Sequence, residues 1–85
     1  MVYVTFDELV KQLQRKAVTV IQARFEIENV SEIAERFFET PTFGEMRSFV
    51  RNKFGNDIPF VEIDRIEDRF FVGILNDLEK DFRKE

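Results

Sequence analysis

From Val18 to Glu28 the chain alternates: Thr19, Ile21, Ala23, Phe25 and Ile27 are interleaved with Val20, Gln22, Arg24 and Glu26. A period of two over ten residues, with one apolar and one largely polar face, is the pattern of a half-buried strand. Val18, Thr19, Val20 and Ile21 add β-branched bulk that favours extended backbone. A competing reading continues the preceding helix, because Val20, Ile21 and Phe25 also fall on its stripe, but Ala23 and Ile27 then stray from the face. The alternation predicts a strand.

Around that segment the signals are mostly helical. Thr5 and Glu8 have capping-box spacing, in which each side chain satisfies the other end's orphan amide. Phe6, Leu9, Val10, Leu13 and Ala17 follow at helical spacing and predict a first helix over Phe6–Lys16. Asn29 and Ser31 both offer N-caps for a short second helix carrying Ile33, Ala34, Phe37 and Phe38 on one side. Thr40-Pro41-Thr42 breaks it, since a residue before Pro is pushed out of the helical region. Thr42 and Glu45 predict a third helix over Thr42–Phe54, with Phe43, Met46, Phe49 and Val50 inward and Gly55 closing it.

Ile58–Ile66 and Arg69–Leu75 each show alternation, Val61 and Ile63 in the first, Phe70, Val72 and Ile74 in the second. They read as two strands joined through Glu67-Asp68, although that turn lacks the Gly that favours a tight hairpin. A last helix opens at Asn76. The order helix, strand, helix, helix, strand, strand, helix predicts one α+β domain over residues 1–85. Its three-stranded, largely antiparallel sheet would have helices mainly on one face.

Composition narrows the chemistry. The chain has 85 residues, no Cys and no His, which removes thiol chemistry, disulfides, zinc sites of the usual kinds and every nucleophile–His pair. No Gly-rich phosphate loop is present. The acidic side chains Asp57, Glu62, Asp64, Glu67 and Asp68 gather late in the chain. Glu26 and Glu28 would lie opposite Glu62 and Asp64 if the strands paired. Without an Asp-x-Asp-x-Asp-Gly loop they read as a wet sheet face and not as a cation site. The expectation is a protein without catalytic residues, cofactor or metal. No run approaches the length of a membrane span and no secretory leader is visible, so the expected location is cytoplasmic. The charge-laced, Gly-poor composition suits a heat-adapted source.

Two functional readings follow. Eleven Phe in so short a chain exceed what a small core can cover, and large uncovered apolar areas mark interfaces. The first reading is a protein-interaction or scaffold module that self-associates. It would bury Phe60, Ile66 and Phe71 on the second sheet face and pair Arg24 or Arg65 with Glu62 or Asp64 of the mate. The second comes from Ser31–Phe37, the helix Thr42–Phe54 and the strand pair Phe60–Ile66 and Arg69–Leu75, which together resemble a winged helix in outline. That likeness implies DNA binding, with Arg47, Ser48, Arg51 and Asn52 in the major groove and Arg65 and Arg69 on phosphate at the wing. A net charge of −4, and Glu67 and Asp68 at the wing tip, put it behind the first.

Overall fold

The fold is a four-helix arrangement with one very small sheet. The computed structural model describes residues 2–83. Strand β1 is Tyr3–Val4, followed by helix α1 (Phe6–Phe25), α2 (Val30–Glu39) and α3 (Pro41–Phe54). Strand β2 (Ile58–Pro59) then leads through a 3-10 turn, Phe60–Glu62, into α4 (Ile63–Phe82). The molecule measures 45 × 19 × 19 Å along its principal axes. Helix α4 packs along both α1 and α3, and α2 covers the remaining side.

Two expectations are overturned. No three-stranded sheet exists among the described residues, and neither does a wing: the only pairing is β1 with β2, antiparallel. Val18–Phe25 belongs to α1, and Ile63–Phe82 is one continuous helix in place of two strands and a fourth helix. The domain is therefore helical, neither α+β nor winged-helix-like.

The reason lies in what each conformation buries. Leu9, Val10, Leu13, Ala17, Val18 and Ile21 form one unbroken buried stripe on α1. The residues that the alternation placed inside fare worse: Ala23 is exposed and Ile27 lies beyond the helix end. Helix propensity opposes Val18, Thr19, Val20 and Ile21 by about 2 kcal/mol in sum. Extending an existing helix, however, satisfies one backbone hydrogen bond per residue with no new nucleus. A strand here would need neighbours for its amides and carbonyls, and α4 removes them. Ile63, Ile66, Phe70, Ile74 and Leu78 recur at three and four residues and are all buried. Each such side chain contributes about 1.5–3 kcal/mol relative to exposure, so the stripe outweighs the local alternation.

The helix starts follow the caps closely. Thr5 Oγ1 accepts from Glu8 N–H (3.2 Å), and Asn29 Oδ1 accepts from Glu32 N–H (3.2 Å). Helix α3 begins two residues earlier than its Thr42–Glu45 box suggests. Thr40 is the cap, its Oγ1 accepting from Phe43 N–H at 3.2 Å, and Pro41 takes the first helical position, where a missing N–H costs nothing. The Thr42 amide instead donates to the Asp77 carboxylate of α4 at 2.9 Å. Gly73 of α4 lies so near Thr42 that a Cβ there would stand 2.8 Å from Thr42 Cγ2.

Helix α1 stops at Glu26, which adopts the left-handed conformation (φ 53°, ψ 39°) and donates its N–H to Gln22 O at 2.9 Å. Glycine occupies such a position without steric penalty. Glu26→Gly is expected to stabilise the protein by about 0.5–1 kcal/mol, read as a higher denaturation midpoint in urea. A fall in the midpoint would contradict this account of the helix end.

Candidate interaction site

One group of open apolar residues lies where α1 begins, α3 ends and α4 begins. Tyr3 opposes Pro59 and Val4 opposes Ile58. Phe60 N–H extends the ladder by donating to Val2 O at 2.8 Å. Ile58, with no exposed surface, anchors the strand in the core, and Val4 packs against the same core. Pro59 cannot donate to the ladder and starts the turn into α4. Four large apolar side chains stay open at this end, Val2 (67% exposed), Tyr3 (54%), Phe60 (59%) and Val61 (69%); Val2 and Phe60 share the ladder face that carries Val4 and Ile58, and Tyr3 lies on the other.

Of the side chains expected at an interface, only Phe60 belongs to this surface. Ile66 is buried in the core. Phe71 is half-buried, with the Lys16 ammonium 4.8 Å from its ring centre. Arg24 pairs with Glu79 of its own chain, and Glu62 forms an ion pair with Arg65 at 3.5 Å, within one helical turn. Asp64 is exposed but lies on α4 and not on a sheet face. Val2, Tyr3 and Val61 were not singled out by sequence reasoning. The available signal was a run of uncharged side chains just before the Thr5 cap, and Val61 next to Phe60.

The cations of the DNA-binding reading divide between two surfaces. Arg47, Ser48, Arg51 and Asn52 are all exposed on α3. Arg47 and Arg51 border a groove with Phe6, Asp7, Phe38 and Phe43. Arg65 and Arg69 border a different groove, with Lys53, Phe49 and Phe54. At about 100° per residue, Arg47 and Phe49 point roughly 200° apart around α3. The two grooves therefore flank opposite sides of that helix. With α4 continuous through Glu67 and Asp68, no wing tip presents Arg65 and Arg69.

The acidic cluster is dispersed as well. Glu67 accepts from Lys16 at 2.9 Å, and Glu62 is taken by Arg65. Among the described residues no three metal-ligating side chains converge, and no helix is long and apolar enough to cross a membrane.

The groove between α3 and α4 shows what the cations do locally. The Arg69 guanidinium lies 4.6 Å from the Phe49 ring centre and 5.4 Å from that of Phe70. Lys53 lies 5.5 Å from Phe49 and equally far from Phe54. Stacking of this kind is worth about 0.5–1 kcal/mol at exposed sites. An exposed i,i+3 ion pair such as Glu62–Arg65 contributes less, about 0.3–0.5 kcal/mol. Arg69→Ala should therefore lower the thermal midpoint more than Arg65→Ala; equal effects, or the reverse order, would contradict this ranking.

Comparison of the chain with protein-family models, curated proteins and solved structures found no match.

Proposed function

We propose that the chain is a small protein-interaction module without catalytic activity, which associates with itself through the surface formed by Val2, Tyr3, Phe60 and Val61. The observation that carries this reading is the exposure of Val2, Tyr3, Phe60 and Val61 at one end of the bundle; Val30, Phe38 and Val72 are open too, but away from that end. Large apolar side chains left in water at one place mark interaction surfaces. In a stable complex each partner gives up roughly a tenth of a small protein's surface; here the total is 5840 Å². The apolar side chains would form the centre of such an interface, with a polar rim around them. A cytoplasmic setting, which suits a chain without Cys, is part of the same proposal.

An interface this small belongs to the weak, transient class. Sedimentation over about 5–500 μM should show the mass rising from 10.2 kDa towards twice that value. The double variant Phe60→Ser/Val61→Ser should remain monomeric over the same range and keep its thermal midpoint within a few degrees, because both side chains are already in water. A wild-type chain that stays at 10.2 kDa throughout would overturn the proposal.

A further inference from the structure

A groove of about 410 Å³ lies between the end of α3 and the first half of α4, a size within the range of sites that hold ligands. Phe49 and Phe54 are half-buried along it and Ile66 is buried, while Lys53, Arg65 and Arg69 stand exposed. The spacing makes this arrangement. Phe49 and Lys53 are four apart on α3, and Arg65 and Arg69 four apart on α4, so each pair shares one helix face. Cations from two helices therefore border a single apolar floor.

Three cations meet two carboxylates here, Glu62 and Asp68, in a chain whose net charge is −4. Among the described residues no carboxylate lies within ion-pair distance of Lys53 or Arg69, whereas Lys16, Arg24 and Arg83 each have one. Rings hold these two cations instead. The Arg69 guanidinium lies over Phe49, and the Lys53 ammonium is equally far from Phe49 and Phe54. Such contacts restrain two long side chains before anything binds, which lowers the ordering cost of recognition. Ring contact engages the face of a guanidinium and leaves the N–H donors on its edge for an oxyanion.

We infer that this groove docks an acidic, amphipathic segment of another protein. Carboxylates of the segment pair with Lys53, Arg65 and Arg69, and its apolar side chains cover Phe49 and Phe54. Charge complementarity selects this occupant. Glu62 and Asp68 stand among the cations, and a peptide can place its charges around them. A nucleic-acid backbone, charged at every phosphate, cannot. The contact needs no second copy of this chain and so goes beyond the self-association proposed above.

Fluorescence anisotropy with a labelled peptide in which Glu and Leu recur at helical spacing tests this docking. The wild-type chain should bind the peptide saturably, and more weakly as salt is raised. Lys53→Gln/Arg69→Gln should weaken binding about tenfold or more. Lys11→Gln, which removes one charge from an exposed position of α1, should leave it unchanged. Arg69→Lys should retain more affinity than Arg69→Gln, which separates lost charge from lost packing. Amide shifts induced by the peptide should centre on residues 49–54 and 62–69, apart from the surface that self-associates. The inference is overturned by any of three results: no saturable binding below about 1 mM, an equal loss in Lys11→Gln, or an acidic peptide bound more weakly than a single-stranded oligonucleotide at the same salt. The last would assign the groove to phosphate. Self-association is decided by sedimentation alone, whichever result is obtained.

Discussion

Thr40 holds the tightest corner of the molecule. It is buried, 5% exposed, and its hydroxyl donates to Phe37 O at 2.9 Å while accepting from Phe43 N–H at 3.2 Å. One side chain thus closes α2 and opens α3, and a single residue separates the two helices. A buried hydroxyl without partners would cost a few kcal/mol; here both its functions are used. The corner also receives α4. Asp77 caps the Thr42 amide and Gly73 lets the helices approach, so the α4 carboxyl half is held at the start of α3. Its amino half then lies beside Phe49, Lys53 and Phe54 at the end of α3. Helix α1 runs parallel to α4, tied by Lys16–Glu67 and Arg24–Glu79. These constraints bring the start of α1 and the start of α4 to one end, and β1 can meet β2 there.

That geometry explains why Val2, Tyr3, Phe60 and Val61 share one end of the bundle, while Val30, Phe38 and Val72 are exposed elsewhere on it. Of the eleven Phe, only Phe38 and Phe60 are exposed. Phe38 leans edge-on against Phe37 and Phe43, with ring centres 5.6 and 5.4 Å away, so part of its surface is engaged. Phe60 has no ring beside it and shares its end of the bundle with Val2, Tyr3 and Val61. The ion pairs do not compete for this surface. All four lie on or between helices, with one partner more than half exposed, where screening keeps each one weak.

Much of the helical skeleton was legible in the sequence, because capping chemistry is local. Thr5 and Asn29 occupy the cap positions that their spacing to Glu8 and Glu32 implies, and Gly55 ends α3 with a positive φ of 67°. What was not legible depended on long-range choice. Thr19–Ile27 satisfies a period of two and, nearly as well, the stripe that runs from Leu9 to Ile21; local residues cannot decide between them. The decision comes from Ile63, Ile66, Phe70, Ile74 and Leu78, which read as one helical stripe only if Glu67-Asp68 is not a turn. The missing Gly at that point was the available warning. The interaction surface was less legible still. Phe60 was named for the wrong reason, as a residue of a sheet face, and Val2 and Tyr3 acquire meaning only through pairing with a segment more than fifty residues away.

The central claim is that a helical bundle, continuous through Thr19–Phe25 and Ile63–Phe82, leaves one small apolar end for contact with its own kind. Backbone chemical shifts recorded through a dilution series test both halves together. The account predicts helical shifts for both segments at every concentration, with dilution-dependent changes confined to Val2–Val4 and Pro59–Val61. Extended-type shifts from Thr19 to Phe25 would contradict the fold, and changes centred on α3, or none anywhere, would contradict the site.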